Sequence, residues 1–100
     1  MIVISGSIPI NPAMREEAMK TAAWMSEQSE GEEGCNRYRF AFDVRDPNLM
    51  VLVEEWASEE ALAAHFTSAH MAEFQKAIPG LVGGAPSITR YEVSSSGPLR

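Results

Sequence analysis

The residues best suited to chemistry in this chain lie together, between Glu54 and His70. Both histidines, His65 and His70, are in this segment, and imidazole is the side chain that normally titrates near neutral pH. Glu54 stands two residues before Trp56 at the start of the segment. A neutral imidazole near a carboxylate can take a proton from a phenol or from an activated carbon acid. His65 and Glu54 are therefore the candidate catalytic residues.

Each of these two residues has an alternative role that the sequence leaves open. His65 is either the base or a core histidine with a backbone partner. Glu54 has apolar neighbours in its strand, so its ionised carboxylate needs a partner. That partner is either His65, which Glu54 would hold in one tautomer, or the backbone groups where the strand joins the helix.

Aromatic residues near this segment could bind a flat substrate. Tyr38 and Trp56 could stack on an aromatic ring, although large aromatic side chains at such positions also build cores. Phe66 follows His65 directly, and we place it in the same substrate pocket. His70 either lines this pocket or caps the preceding helix segment.

The sequence does not indicate a metal ion or a cofactor. Two histidines without a facing carboxylate cluster do not specify a metal site. The Gly83-Gly84 pair lacks the preceding strand and the following helix of a phosphate-binding loop. Cys35 is the one cysteine, and a lone cysteine is usually a small buried hydrophobe rather than a nucleophile. We therefore expect no cofactor and no metal.

The size and the net charge of the chain limit the partners and the location that we expect for it. One hundred residues make one domain, with so little interior that pairing with a second copy would help to bury apolar surface. The net charge of −6 argues against nucleic acid and against an anionic membrane as partners. No apolar stretch approaches the roughly 20 residues that span a bilayer, and the first residues lack the basic region of a signal peptide. We therefore expect a cytoplasmic location.

The hydrophobic pattern predicts strands and helices in the order β-α-β-β-α-β. Alternation marks strands at residues 2–8, 35–43, 49–56 and 87–93, and helical spacing marks helices at 12–29 and from 58 to about 79. A turn at residues 45–48 joins the two middle strands. This order is typical of an α+β ferredoxin-like fold, in which an antiparallel sheet carries both helices on one face.

The second helix should break between the two histidines. Its apolar stripe, which faces the sheet, consists of Ala61, Leu62, His65, Phe66 and Ala69. A straight continuation would bury Glu73, so we predict a break near Thr67-Ser68, with Ser68 capping the next segment. His65 then faces the sheet, and the two histidines need not act together.

The strand at residues 49–56 is apolar on both faces, so both faces should be covered. The helices cover one face, and the simplest cover for the other is the same sheet of a second copy. We therefore expect a homodimer. Trp24 lies off the apolar stripe of the first helix, so it is either a second contact surface or an exposed side chain.

Several short motifs together carry a resemblance to a known family. They are Glu33-Gly34-Cys35-Asn36-Arg37-Tyr38, Glu54-Glu55-Trp56, Ala64-His65 and His70-Met71. In this order and spacing they resemble the antibiotic biosynthesis monooxygenase domain of the dimeric α+β barrel superfamily. The resemblance covers about residues 2–93, so we expect the domain at residues 1–93 and a flexible tail at residues 94–100.

The resemblance implies a dimer whose sheets pack into a barrel. It also implies a cofactor-independent monooxygenase that oxidises a quinol or related phenol with molecular oxygen. The superfamily includes a signal-molecule isomerase, so a proton-transfer isomerase using the same pocket is one alternative, and a non-catalytic dimer that binds a small ligand is another. Haem-degrading relatives have their iron-ligating histidine where this chain has Gln75, and a tryptophan where it has His65, so haem chemistry is not expected.

Overall fold

The fold is a four-stranded antiparallel sheet with its helices on one face. A computed structural model describes residues 1–100. In chain order its elements are β1 (Ile2–Pro9), α1 (Arg15–Glu30), β2 (Cys35–Asp43), β3 (Asp46–Trp56), α2 (Glu59–Phe66), α3 (Ala69–Ala77) and β4 (Ser87–Glu92). Short 3₁₀ turns at Pro12–Met14 and Ile78–Gly80 precede α1 and follow α3. The predicted α+β ferredoxin-like fold is confirmed, with the second helix in two pieces.

The sheet order β2-β3-β1-β4 brings several candidate residues into one region. Glu54 of β3 lies opposite Ile4 of β1 on one side and Tyr38 of β2 on the other. Trp56, two residues further along and opposite Ile2, points to the same face because successive side chains of a strand alternate. This face carries the helices, so these side chains lie in the interior.

The interior follows the predicted alternation. From the sheet and the helices it contains the buried residues Ile2, Ile4, Ile8, Met50, Leu52, Trp56, Ala18, Ala22, Met25, Leu62 and Phe74. Fully burying a side chain of leucine or methionine size stabilises a fold by about 1.5 to 3 kcal/mol. On α1 the buried Ala18, Ala22 and Met25 lie on one side of the helix, facing the sheet.

The predicted break in the second helix is present. Thr67 and Ser68 separate α2 from α3. Ser68 caps α3, because its Oγ accepts the amide N–H of Met71 at 3.2 Å and donates to the carbonyl oxygen of His65 at 2.7 Å. Glu73 is exposed, whereas a straight continuation of the helix would have buried it.

The apolar stripe predicted for this helix is only partly correct. Leu62 and His65 are buried, but Phe66 is 54% exposed and Ala69 is also exposed. The predicted stripe requires one straight helix through all of these residues. In the structure α2 is short and presents a narrow face to the sheet, and α3 starts a new axis just beyond Phe66.

β3 is longer than predicted, because the turn before it shrinks from residues 45–48 to Val44 and Arg45. The Asp43 carboxylate closes this turn, since its Oδ1 accepts the amide N–H of Arg45 at 2.7 Å. Pro47 was part of the reason why the sequence predicted a longer turn, at residues 45–48. It lies beyond the last residue pair between β3 and β1, so its missing N–H removes no bond from that ladder.

Some regions lie outside the packed interior. β4 is an edge strand whose six residues are all exposed. Trp24 is 38% exposed on α1. Residues 94–100 form no helix or strand. None of the helices combines the length and the apolar character needed to cross a membrane.

A tight turn after α1 packs against α2. Gly34 has a φ of +83°, and a Cβ added there would lie 2.5 Å from the Cβ of Ala61, so only glycine fits. The Gly34 carbonyl also accepts the amide N–H of Ala57 at 2.7 Å. The turn is thereby held against the end of β3 and against α2, and this turn carries Glu32.

Gly34→Ala should lower the free energy of unfolding by about 2 to 4 kcal/mol, because it combines a left-handed backbone with an overlap against Ala61. Gly31→Ala is the matched control in the same turn, since Gly31 has a φ of −81° and its added Cβ would have its nearest contact at 3.5 Å. The control should change the free energy by less than about 0.5 kcal/mol. Urea denaturation followed by circular dichroism measures both, and equal effects would contradict the packing described for this turn.

Candidate functional site

Glu32 connects the two histidines. Its Oε2 lies 2.6 Å from Nδ1 of His65 and 2.7 Å from Nε2 of His70. Glu32 belongs to the turn after α1, His65 to the last turn of α2 and His70 to the first turn of α3. One carboxylate oxygen therefore joins three segments, and it links the two histidines although the helix breaks between them.

The Glu32 carboxylate determines where the hydrogen sits on His65. An ionised carboxylate only accepts hydrogen bonds, so Nδ1 of His65 carries the hydrogen and donates it. In the neutral ring the lone pair is then on Nε2. Nε2 is buried and has no hydrogen-bond partner. The result is an unpaired basic nitrogen in the interior, on a ring whose other nitrogen faces an anion.

Aromatic rings surround His65, whose side chain is 1% exposed. Its ring centroid lies 4.7 Å from that of Trp56, 5.4 Å from that of Tyr38 and 5.9 Å from that of Phe66. Tyr38 and Trp56 are buried. Burial also raises the pKa of the Tyr38 phenol well above its usual value, so the phenol stays neutral. The imidazole ring therefore lies among neutral aromatic rings.

Glu54 has a different partner from those considered in the sequence analysis. Its Oε1 accepts the indole N–H of Trp56 at 2.9 Å, and it forms no hydrogen bond with His65 or with the backbone. Neither of the two predicted bonds is therefore present, and Glu32 orients His65 instead. Burial raises the pKa of Glu54 to about 7; the bond from Trp56 opposes this rise, and the charge of Glu32 adds to it.

The structure brings most of the predicted site residues together. Tyr38, Glu54, Trp56 and His65 lie on the interior side of β2, β3 and α2. Phe66 contacts this group from an exposed position at the end of α2. His70 neither caps a helix through its side chain nor lines a cavity, because its Nε2 is bonded to Glu32.

Glu32 is the residue that the sequence analysis missed. It belongs to the run Glu30-Gly31-Glu32-Glu33-Gly34, which by itself indicates only the end of a helix. Nothing in that run separates Glu32 from its acidic neighbours. The usable signal was Gly34, since a glycine that closes a turn implies close packing there and makes a nearby carboxylate a candidate partner for a buried histidine.

No cavity of the molecule reaches Nε2 of His65. A hollow of about 370 Å³ lies between the turn at Gly34 and the flank of α2 that carries Ala61 and Ala64, and neither histidine lines it. A separate apolar cleft of about 190 Å³ lies between α1 and β2, away from both histidines. A substrate therefore reaches His65 only if side chains around α2 move.

Glu32, His65 and His70 also form a set of metal-ligating groups. Their donor atoms all lie within 4.8 Å of one another. Imidazole nitrogens and carboxylate oxygens are common ligands of zinc and of non-haem iron. Glu32 is thus a carboxylate facing both histidines that the sequence pattern did not indicate.

Comparison with known proteins finds one family and several relatives. The sequence model of the family described as antibiotic biosynthesis monooxygenase matches residues 1–77. A Bacillus subtilis protein named "Putative monooxygenase YcnE" is 31% identical over 94 residues, which are 94% of this chain and 99% of that protein. An uncharacterised protein of Synechocystis is 30% identical over 95 residues, which are 95% of this chain, and the chain spans only 65% of the length of that protein.

A solved structure from Deinococcus radiodurans has the same fold. It aligns with this chain at a TM-score of 0.91, covering 100% of this chain and 99% of that chain at 18% sequence identity. At this identity the likeness establishes the arrangement of helices and strands.

The raised pKa of Glu54 predicts a pH dependence of stability. Because the folded state holds this proton up to about pH 7, whereas the pKa of an unperturbed glutamate is 4.5, the stability that the proton contributes is full below pH 4.5 and is lost as the pH rises through 7. Glu54→Gln should therefore reduce the fall in unfolding free energy between pH 5 and pH 8 by roughly 2 to 3 kcal/mol. Urea denaturation across this pH range measures the difference.

The matched control for this measurement is Glu55→Gln, on the opposite, partly exposed face of the same strand. It should keep the pH dependence of the wild-type chain. The same pH dependence in all three proteins would show that Glu54 does not hold a proton near neutrality.

Proposed function

The chain belongs to the antibiotic biosynthesis monooxygenase family, and on that premise we propose that it oxidises a quinol with molecular oxygen without a cofactor. The observation that carries this proposal is the unpaired, buried Nε2 of His65, whose ring is oriented by Glu32 at Nδ1. His65 is the proposed base. Tyr38, Trp56 and Phe66 are the proposed substrate-binding residues, His70 helps to hold the Glu32 carboxylate, and Glu54 assists catalysis.

The first step is removal of a proton from a quinol hydroxyl by Nε2 of His65. The anion gives up an electron to oxygen far more readily than the neutral quinol does. The imidazolium that forms is stabilised by the adjacent Glu32 carboxylate, as in other acid–histidine pairs. An apolar surrounding strengthens this electrostatic pairing, because little water screens it.

The remaining steps balance without an external reductant. The anion passes one electron to oxygen, and the two radicals combine to a peroxide anion on the ring carbon next to the oxidised centre, which takes the proton from protonated His65. The O–O bond of this hydroperoxide then breaks as neutral His65 removes the hydrogen on that carbon, and the departing hydroxide takes that proton from His65 to leave as water. The quinol and one oxygen molecule give a hydroxyquinone and one water, with all four electrons supplied by the quinol.

Access to His65 requires a movement at the outer end of α2. Phe66 is half exposed and contacts His65, and α2 ends at this residue, directly before the break. We place the substrate between Phe66 and the buried rings of Tyr38 and Trp56, where a flat ring can stack on them. Glu54 carries a proton below about pH 7, so it can donate a hydrogen bond to the second substrate oxygen.

A second candidate function is proton transfer without oxidation. A basic nitrogen at His65 and a carboxyl at Glu54 that holds a proton near neutral pH are the pair of groups that an isomerase needs. Turnover that persists without oxygen would select this function. A third candidate, a non-catalytic dimer, would bind a small ligand and release it unchanged.

His65→Gln should lower the rate of oxygen consumption with a responsive quinol at least about 100-fold, because the amide has no basic nitrogen. Glu32→Gln should lower the rate at least about 10-fold and alter its pH profile, since a neutral amide does not stabilise the imidazolium. An oxygen electrode measures the rates. Labelled oxygen should place one atom in the hydroxyquinone and one in water.

Two exposed variants serve as controls for these rates. Glu33→Gln changes the carboxylate next to Glu32, and Gln75→Ala changes an exposed residue of α3. Both should retain the wild-type rate. Unchanged turnover in His65→Gln would remove this residue from the mechanism, and no oxygen uptake with any quinol of a broad panel would contradict the proposed oxidation.

We further propose that the chain works as a homodimer joined through its sheets. The face of the sheet away from the helices carries Val3, Leu49, Val51 and Val53, which are half-buried and which no element of this chain covers. The shallow depression at Val51 and Val53 offers a surface against which an equal sheet can pack. Two-fold pairing would remove this apolar surface from water.

Sedimentation equilibrium should give a mass near twice the 11.0 kDa of the chain. Val53→Asp should shift the equilibrium towards the monomer by at least about tenfold in dissociation constant, because it would bury a charge in the interface. The matched control is Val44→Asp at the fully exposed tip of the β2–β3 turn, which should leave the mass unchanged. A wild-type mass of 11.0 kDa at micromolar concentration would rule out the dimer.

A further inference from the structure

We propose that Glu32, His65 and His70 form a binding site for one divalent transition-metal ion of the zinc and cobalt class. The proposal uses the three donor atoms that meet at the centre of the cluster. Binding a metal is a different use of these residues from the oxidation proposed above. The metal site can exist whether or not the chain oxidises a quinol.

The donor set matches this class of ion. Two imidazole nitrogens and one carboxylate oxygen bind late first-row divalent ions and leave coordination positions open for water or another ligand. Magnesium and calcium prefer an all-oxygen set, so the histidines select against them. The three donors come from separate segments, so an ion would crosslink the turn after α1, α2 and α3.

The geometry needs only a small rearrangement. Nδ1 of His65 and Nε2 of His70 both point at Oε2 of Glu32, from 2.6 Å and 2.7 Å. An ion near the present position of Oε2 therefore faces both nitrogens, and the carboxylate needs to draw back. Metal–ligand distances of about 2.0 to 2.2 Å then follow from modest side-chain rotations.

Access and charge favour a cation. The side chains of Glu32 and His70 are each 15% exposed, so the cluster opens to solvent on the side of α3, whereas His65 closes it from the interior. The two ion pairs of Glu32 are both with histidine, so no arginine or lysine neutralises this carboxylate. The net charge of −6 also raises the local concentration of cations.

Metal binding would change the proton position on His65. A metal on Nδ1 takes the lone pair of that nitrogen, so the remaining hydrogen of the neutral ring moves to Nε2. The loaded form would then have no base at Nε2. This consequence rests on the proposed function: it makes the metal an inhibitor of the oxidation.

Titration of the untagged, chelator-treated chain with Co²⁺ tests the site. The visible absorption of Co²⁺ should rise and saturate at one ion per chain, with bands of nitrogen and oxygen ligation and without the charge-transfer band of a thiolate. Zn²⁺ should displace the Co²⁺ and bleach the bands. Zn²⁺ should also raise the melting temperature, because it binds only the folded arrangement of the three donors.

Substitutions identify the ligands. His70→Gln and Glu32→Gln should each weaken Co²⁺ binding at least about tenfold. Glu33→Gln and Cys35→Ser are the controls and should bind as the wild-type chain does; the pKa of the Cys35 thiol is raised to about 11 by burial, which disfavours a thiolate ligand. Circular dichroism confirms that each variant is folded.

Several results would overturn the proposal. They are the absence of a saturable one-to-one signal, unchanged binding in the folded His70→Gln variant, or loss of binding in Cys35→Ser. Oxygen uptake is measured separately, with and without Zn²⁺. A positive Co²⁺ titration in a chain that consumes no oxygen would leave the metal site standing and contradict only the proposed oxidation.

Discussion

Two imidazoles on different helices depend on a single carboxylate oxygen. His65 is buried in an aromatic environment, and an unpaired N–H there would cost about 1 to 3 kcal/mol. Glu32 satisfies this group, and the same oxygen binds His70 at the start of α3. The turn after α1, α2 and α3 consequently form one unit, because displacing any of them leaves a polar group without its partner.

Two glutamates near His65 show how surroundings assign different states to one residue type. Glu32 is partly exposed and accepts two hydrogen bonds, which suits an ionised carboxylate. Glu54 is buried and accepts one bond from Trp56, and burial raises its pKa to about 7. The site thus contains one carboxylate that is hydrogen-bonded to both histidines and a second carboxyl that carries a proton near neutrality.

Local patterns predicted most of the fold and part of the site. The alternation of apolar residues predicted the strands. The capping residue Ser68, and the position of Glu73 where a straight helix would bury it, predicted the helix break. Each of these signals depends on near neighbours in the chain. Glu54 and Trp56 lie two apart on a strand, so their shared face, though not their bond, could have been read from the sequence. Glu32 could not, since its partners lie more than 30 residues away and the contact depends on how the Gly34 turn packs.

The two residues between α2 and α3 also have an evolutionary consequence. Positions five apart on a continuous helix differ by about 140° around its axis, so both rings could not face one carboxylate without the break. Thr67 and Ser68 therefore act as a spacer of defined length. Insertions and deletions should be tolerated in the exposed loop before β4 and selected against here, where one added residue would turn His70 away from Glu32.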